Sequence, residues 1–376
     1  MLQLENSYLK LPEKFYQKSK PTQLSAPDLV VFNSSLAKEL DLAVQNLSDD
    51  ELSQIFSGQK FLKGSNPIAL AYAGYQFGHP VPQLGDGRAH LLGESSGYDI
   101  QLKGSGVTAF SRGGDGKSAL GPVLREYIVS EAMHHLGIPT TRALCAVRSG
   151  EKVIRQDGPE PGGVFTRVAE SHIRVGTFQY FSFQEDFESV EVLLNYTVNR
   201  HYPQLSDLST SEKAIETLKN FVNKQAELVA SWSAIGFVHG VMNTDNCSLA
   251  GITIDYGPCA FMEDFRFKKV FNSIDHQGRY SFFNQVPIAK WNTLRFAETL
   301  LPLIDSKSEK AIERIKAEVV PLLSVFDKKR SEKIALKLGI NDYQEEDEKL
   351  VMQFLKYLED QSLDFTLAFY LSLIHI

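Results

Sequence analysis

The pattern of apolar and polar positions changes along the chain, from mostly strand-like between about residues 67 and 180 to mostly helical from about residue 185 onward. The clearest strand pattern is Tyr98–Lys103, in which apolar and polar residues alternate. Together with Ala89–Leu92 and the glycine-bounded segment between them, it predicts a β-hairpin. The alternation places Lys103 on the polar face of the second strand.

Apolar residues at helical spacing predict a helix over Ala119–Leu136, with Ile128 and Leu136 on its apolar face and Glu126 in its middle. A longer helix is predicted over Ser211–Ile235, and it leads the chain directly to His239. Four further helices are predicted from the same spacing: Asn33–Leu40, Trp291–Leu300, Glu309–Phe326 and Gln344–Leu358.

The shift from strand to helix signals predicts an α+β fold in two lobes. A chain of 376 residues also exceeds what one compact core usually supports. We expect a β-rich lobe over residues 61–182 and an α-rich lobe over residues 183–376. Residues 1–60 mix short apolar pieces with prolines, and we expect them to form an extension packed on the first lobe.

Composition and charge narrow the class of protein. The chain has 43% apolar, 11% aromatic and 23% charged residues, which is typical of a globular protein. Its net charge of −7 speaks against nucleic acid as a partner. A signal sequence and a membrane-length apolar run are both missing, so we expect a cytoplasmic protein without a membrane partner.

Cys145, Cys247 and Cys259 are the three cysteines of the chain. They are too few and too widely spaced for a disulfide framework or a C-x-x-C zinc site, and this fits a reducing compartment. The spacing does not decide whether two of them form a single regulatory disulfide.

The most specific motif is a variant of the protein kinase catalytic loop. In kinases the pattern H-R-D-L-x-x-x-N is followed by a D-F-G whose Asp binds metal. Here His239 and Asn246 have the same spacing, and Asp255 opens an Asp-Tyr-Gly. The usual catalytic Asp is replaced by Val241. The nearest carboxylate that can act as base is Asp245, although a capping or metal-supporting role is the alternative.

Lys103 and Glu126 fit a second kinase feature, a strand lysine oriented by a glutamate of the next helix. Each could equally be a solvated surface charge. Arg167 and Arg174 carry planar donors suited to phosphate oxygens, or they could form salt bridges. The order of Lys103 and Glu126 relative to the metal-binding motif favours a nucleotide site.

The chain has two glycine-rich segments, one before Lys103 and one between Lys103 and Glu126. Leu84–Arg88 lies before the hairpin, where glycines would let backbone N–H groups approach phosphates; a plain turn is the alternative. Arg112–Lys117 lies before the helix that carries Glu126, where a helix N-terminus favours anions. The second segment is nearly a Walker A motif, but Ser111 replaces its first glycine.

Taken together, these motifs are similar to those of the selenoprotein O family, also called the YdiU-type family, over about Asn6 to Leu303. The resemblance implies a protein kinase-like bilobal fold, with a β-rich N-lobe and an α-rich C-lobe. The segments that carry it are Leu84–Ala89, Gln101–Gly106, Arg125–Tyr127, Gly137–Leu144, His239–Asn246, Ile254–Pro258 and Asp275–Tyr280.

Membership of that family implies transfer of AMP from ATP to Ser, Thr or Tyr hydroxyls of proteins, with Mg²⁺, or alternatively Mn²⁺, as the cofactor. The nucleotide would be flipped relative to ordinary kinases, so that the α-phosphate faces the acceptor. Asp245 would be the proton acceptor, Glu126 would orient Lys103, and Asn246 and Asp255 would bind Mg²⁺. The implied ATP contacts are Gly85, Gly87, Arg88, Lys103, Asp115, Gly116, Arg167, Arg174 and Asp255.

The chain departs from the family pattern in two places. No cysteine follows Cys259, so we expect the redox control found in some members to be absent. The apolar run Phe365–Ile376 ends short of where members normally end, and we expect a shortened C-terminus. An ordinary phosphotransferase and a non-catalytic nucleotide-binding scaffold are the alternative functions. The sequence identifies no acceptor protein, trigger or oligomeric state.

Overall fold

A computed structural model describes residues 4–373, and these divide into two compact units. Unit 1 contains the described residues up to Tyr75, together with His79–Tyr180 and Thr253–Tyr256. Unit 2 contains Gln76–Gly78, Phe181–Ile252 and the described residues from 257 onward. Most strands belong to unit 1 and most helices to unit 2, which confirms the predicted α+β class.

The strands of the described residues, in chain order, are β1 (Tyr16–Lys18), β2 (Asp28–Phe32), β3 (Ile68–Leu70), β4 (Gly74–Gln76), β5 (His79–Val81), β6 (Ala89–Ser95), β7 (Tyr98–Lys103), β8 (Ser118–Ala119), β9 (Arg142–Arg155), β10 (Gly158–Ala169), β11 (Phe237–Val238) and β12 (Ala260–Phe261).

The α-helices of the described residues, in chain order, are α1 (Ser34–Glu39), α2 (Asp49–Phe56), α3 (Leu120–His135), α4 (Val175–Ser182), α5 (Phe187–His201), α6 (Thr210–Ala234), α7 (Gln285–Ile304), α8 (Ser308–Glu318), α9 (Val325–Lys337), α10 (Asp347–Asp360) and α11 (Phe365–Leu373).

Unit 1 is organised around one antiparallel sheet with the strand order β1-β3-β6-β7-β10-β9-β2, and β8 also pairs with β10. The predicted hairpin is confirmed as β6 and β7, with a bulge between Leu91 and Gly93. β1 and β2, which come from the first 60 residues, are the two ends of this strand order. The sheet brings β7 and β10 side by side, and both strands carry candidate site residues.

Helix α3 confirms the helix predicted over residues 119–136, and it packs against β9 and β10. Its predicted apolar face is wrong in part, because Ile128 is 65% exposed and Leu136 is 56% exposed. The buried side chains of α3 are Val123, Glu126, Ser130 and Met133. Glu126 can lie on the buried face because it finds cationic partners there, as described below.

Unit 2 is built on α6, which packs against α7 and α9 and confirms the helix predicted over residues 211–235. A capping box formed by Ser209 and Glu212 fixes its start. Phe221 of α6 packs edge-on against Phe296 of α7. Gly236, with φ +67°, ends the helix and turns the chain into β11 and the His239 loop.

One of the later helix predictions needs correction. The helix expected over residues 309–326 is wrong: α8 ends at Glu318, and a 3₁₀ turn over Val320–Ser324 separates it from α9. Pro321, which lacks an N–H donor, lies in that turn and interrupts the α-helical ladder. The helix expected over residues 291–300 is confirmed within the longer α7, and that expected over residues 344–358 corresponds to α10.

Within residues 4–373, none of the helices combines the length and the apolar character that a membrane span requires. The three cysteines are buried, and no disulfide joins them within residues 4–373. The apolar C-terminal run includes α11, and its last residues, 374–376, lie outside the described part of the chain.

Candidate active site

A cluster of charged side chains from separate elements of unit 1 forms the core of the candidate site. Lys103, at the end of β7, places its Nζ 2.7 Å from Oε2 of Glu126 on α3. Their side chains are only 12% and 6% exposed. Asp255 joins them through a close contact between its Oδ1 and Lys103 Nζ. Lys103 is therefore held by two carboxylates.

Asp255 reaches the cluster because the segment before it is tied to the chain that follows α3. Thr253 forms a parallel β-bridge with Thr140, and its carbonyl accepts a hydrogen bond from the Thr141 N–H at 3.0 Å. Asp255 itself has φ +70°, in the left-handed region. Asp and Asn tolerate that conformation better than most residues, so this backbone position restricts what can replace Asp255.

Arg167 of β10 lies at the centre of the cluster. It is paired in register with Gln101 of β7, and its side chain is 2% exposed. One guanidinium nitrogen, Nη1, lies 3.2 Å from Glu126 Oε1 and 3.4 Å from Asp255 Oδ1. The other, Nη2, donates to Gln101 Oε1 at 2.7 Å. Arg167 thus links both carboxylates of the Lys103 cluster to a neutral buried amide.

The electrostatics keep Asp255 ionised. Burial by itself raises the pKa of its carboxyl, but Lys103, Arg167 and Arg174 outweigh burial and hold that pKa well below its usual value. The side chain is 30% exposed. An ionised carboxylate at a partly open position is suited to binding a hard cation.

A second buried carboxylate, Asp86, extends the cluster toward the first glycine-rich segment. Its Oδ2 accepts hydrogen bonds from Gln101 Nε2 at 2.9 Å and from the Leu70 N–H at 3.2 Å. Arg174 Nη2 lies 4.0 Å from Asp86 Oδ1, and its guanidinium covers the Tyr72 ring at 4.3 Å. Burial raises the pKa of Asp86, against the opposing effect of Arg174 and then Arg167.

Gln101 and Asp86 are residues that sequence reasoning missed. Gln101 is fully buried and connects Asp86 to Arg167 through both ends of its amide. The alternating pattern of β7 signals a polar face, which normally means a solvated one. Here that face is covered, and the one sequence signal for Asp86 is its position within the Leu84–Arg88 segment.

We expect Gln101→Leu to lower the free energy of unfolding by about 2–3 kcal/mol, because Asp86 and Arg167 would each lose a buried hydrogen-bond partner. Urea denaturation of the full chain measures the change. Gln156→Leu, in the exposed turn between β9 and β10, is the matched control and should change the free energy of unfolding by less than about 0.5 kcal/mol. If the two variants had equal free energies of unfolding, the hydrogen bonds of Gln101 to Asp86 and Arg167 would not contribute to stability as proposed.

The first glycine-rich segment is tightly packed. Gly85 has φ +67°, and a Cβ there would lie 2.2 Å from the Phe110 ring. A Cβ at Gly87 would lie 2.6 Å from the Phe110 carbonyl oxygen. Arg88 has an exposed side chain, and its carbonyl accepts a 2.7 Å hydrogen bond from the Gly104 N–H, just after Lys103. Both glycines are therefore required for this backbone to lie beside the Lys103 strand.

The second glycine-rich segment is joined to the loop after Lys103 by its backbone. Gly116 accepts a 3.0 Å hydrogen bond from the Gly106 N–H, and a Cβ at Gly116 would lie 2.2 Å from the Gly106 carbonyl carbon. Asp115 pairs instead with Arg155 of β9 at 2.8 Å, with its side chain 46% exposed. Its hydrogen bond with Arg155 lowers the pKa of Asp115.

The catalytic-loop motif lies in unit 2. His239 is fully buried, and its ring packs against Trp232 with centroids 5.3 Å apart. Asn246 ends a 3₁₀ turn, Thr244–Asn246, and its Nδ2 donates to the Val241 carbonyl at 3.0 Å. That bond uses the nitrogen end of the amide, so the carbonyl oxygen is the end suited to a metal.

Asp245 is 8% exposed, and its Oδ2 accepts a hydrogen bond from Gln76 Nε2 at 3.2 Å. Gln76 is a further residue that the sequence did not indicate. It lies far from Asp245 in the chain, at the end of β4, in a segment without any motif.

Each unit carries a side chain of a type that Mg²⁺ takes as a ligand. Asp255 of unit 1 offers an ionised carboxylate, and Asn246 of unit 2 offers an amide oxygen. Among residues 4–373, no group of three or more His, Cys, Asp and Glu side chains is arranged to hold a metal ion. A site completed by substrate phosphates does not require such a group.

The chain is similar to known proteins of one class, the protein nucleotidyltransferases. A protein nucleotidyltransferase YdiU from Agrobacterium fabrum is 51% identical over 374 residues, covering 98% of this chain and 76% of the relative. The protein of that name from Pelagibacter ubique is 47% identical, covering 97% of this chain and 76% of its own length. A third, from Syntrophotalea carbinolica, is 47% identical, covering 96% of this chain and 74% of its own length.

The family model described as protein adenylyltransferase SelO matches residues 1–375. The chain therefore belongs to the SelO family, which is a family of enzymes. This confirms the resemblance identified from the sequence motifs.

Proposed function

We propose that the chain is a protein adenylyltransferase with a kinase-like arrangement, which transfers AMP from ATP to Ser, Thr or Tyr hydroxyls with Mg²⁺ as cofactor. The observation that carries the proposal is the buried cluster of Lys103, Glu126, Arg167 and Asp255 in a chain of the SelO family. A cation fixed between carboxylates is what a phosphate-positioning lysine requires.

In this proposal the cluster binds the phosphates of ATP. Lys103, Arg167 and Arg174 donate to phosphate oxygens, and Glu126 keeps Lys103 oriented. The glycine-rich segments lie beside Lys103 and contribute backbone N–H groups. The full set of proposed ATP contacts is Gly85, Gly87, Arg88, Lys103, Asp115, Gly116, Arg167, Arg174 and Asp255.

The charge of the cluster supports dependence on a divalent cation. Lys103, Arg167 and Arg174 carry three positive charges, the carboxylates of Glu126 and Asp255 lie against them, and the carboxyl group of Asp86 lies beside Arg174. The protein alone therefore offers little net positive charge to a polyphosphate. Mg²⁺ held by Asn246 and Asp255 would offset the negative charge that develops on the leaving pyrophosphate.

Which phosphorus reacts depends on which one is held in line with the acceptor. With the nucleotide flipped, the acceptor oxygen forms a bond to the α-phosphorus, and the bond between that phosphorus and the β-phosphate oxygen breaks. Pyrophosphate leaves, and the hydroxyl proton passes to the Asp245 carboxylate. Val241, in place of the usual kinase base, is consistent with an acceptor approaching a different phosphate.

The position of the transferred label tests the proposal. The chain is incubated with Mg²⁺, casein as a hydroxyl-bearing acceptor, and ATP radiolabelled at either the α- or the γ-phosphate. We expect protein-bound label from α-labelled ATP only, in casein or in the chain itself. Label from the γ-position alone would favour a phosphotransferase, and no transfer despite ATP binding would favour a non-catalytic scaffold.

A further inference from the structure

The hairpin of β4 and β5 has an unusual tip. Phe77 has φ +51° and Gly78 has φ +87°, so two consecutive residues lie in the left-handed region. A bulky residue such as Phe adopts that conformation only when its surroundings stabilise it. The tip residues, Gln76–Gly78, belong to unit 2, which also contains the catalytic-loop motif.

Phe77 is held by the residues around the catalytic loop. Its N–H donates both to Asn243 Oδ1 at 3.1 Å and to the Tyr280 hydroxyl oxygen at 3.0 Å. The Tyr280 hydroxyl in turn donates to Asn243 Oδ1, and the Phe77 and Tyr280 rings lie 5.1 Å apart. Asn243 lies two residues before Asp245, so the tip is bonded to the same loop as the proposed base.

The Asp275–Tyr280 motif, to which the proposed function assigns no role, completes this support. The Asp275 carboxylate accepts hydrogen bonds from the N–H groups of Arg279 at 2.9 Å and Tyr280 at 2.8 Å. The Arg279 guanidinium covers the Trp291 ring at 4.8 Å. It also lies against Gly78, where a Cβ would be 3.3 Å from the guanidinium carbon.

These contacts hold Gln76 next to Asp245. The hydrogen bond from Gln76 Nε2 to Asp245 Oδ2, 3.2 Å long, is made by the residue directly before Phe77. A hydrogen bond from a side-chain amide restricts rotation of the carboxylate and so fixes the direction in which its oxygens face. The amide adds no charge next to Asp245, as a lysine in the same place would.

We propose that Gln76 is a positioning residue for Asp245, and that the contacts of Phe77, Asn243 and Tyr280 exist to hold it there. The proposal rests on the proposed function, in which Asp245 accepts the hydroxyl proton. It assigns the Asp275–Tyr280 motif the task of holding the hairpin tip against the catalytic loop.

The test is Gln76→Met in the full chain, with Gln204→Met as the matched control because Gln204 is an exposed glutamine of the same unit. Without the amide donor the Asp245 carboxylate is no longer held in one orientation, so we expect kcat for AMP transfer to fall about tenfold while KM for ATP stays unchanged. Gln204→Met should match wild type.

A second readout separates this inference from the proposed function. Crystal structures of Gln76→Met and Gln204→Met show whether the Asp245 carboxylate keeps its orientation. A changed orientation of Asp245 in Gln76→Met alone supports the contact even if the chain transfers no AMP. The same orientation in both variants, or an unchanged kcat in an active enzyme, overturns the role of Gln76.

Discussion

Asp255→Asn should reduce AMP transfer by about 10³-fold, corresponding to about 4 kcal/mol of transition-state stabilisation. The change removes the charge that Lys103 and Arg167 contact and the carboxylate proposed to hold Mg²⁺. Asparagine is the appropriate replacement because it tolerates the φ of +70° at this position almost as well as aspartate. Initial rates with α-labelled ATP measure the loss.

The control for this variant is Asp157→Asn, in the exposed turn between β9 and β10, which should retain wild-type transfer. Circular dichroism and thermal unfolding should show that Asp255→Asn remains folded, because Glu126 still pairs with both Lys103 and Arg167. A rate for Asp255→Asn within about threefold of that for Asp157→Asn would show that Asp255 is not part of the catalytic machinery.

Lys103→Met should reduce kcat/KM by about 10²-fold to 10³-fold, because the phosphates lose a fixed cation and Glu126 and Asp255 lose a shared partner. KM for ATP should rise as well. Without Lys103, less positive charge opposes the effect of burial on Asp255, so the pKa of Asp255 rises. As the pH is lowered, the variant should therefore lose activity at a higher pH than wild type does.

Lys152→Met provides the comparison for this variant, since Lys152 is an exposed lysine on β9 of the same sheet. It should leave kcat/KM and the pH profile unchanged. The role assigned to Lys103 would be wrong if both lysine variants had the same kcat/KM and the same affinity for ATP, measured by isothermal titration calorimetry.

The hairpin and the long helices could be predicted because their signals are local. Alternation along β7 and the spacing of apolar residues in α6 each depend on a single element. The long strands β9 and β10 and the edge strands β1 and β2 depend on pairing with distant segments, which periodicity does not reveal. The buried face of α3 was misjudged because Glu126, a charged residue, belongs to it.

Within the site, the sequence indicated residues that stand in recognisable motifs, and it missed the residues that hold them. Lys103, Glu126 and Asp255 were predicted to act together, and the structure places them in one cluster. Gln76 stands in no motif, and Gln101 opens the Gln101–Gly106 segment without a role being assigned to it. A glutamine on a strand or at a hairpin tip normally contacts solvent. The role of each glutamine depends on the charged side chains that the fold places within hydrogen-bond distance of its amide.

Transfer of AMP is tested most directly by mass spectrometry of casein and of the chain itself after incubation with ATP and Mg²⁺. We expect adenylyl adducts on Ser, Thr or Tyr side chains with the wild-type chain, formed about 10³-fold more slowly with Asp255→Asn. Phosphoryl adducts on those side chains, or adenylyl adducts formed equally fast with Asp255→Asn, would contradict the proposed function.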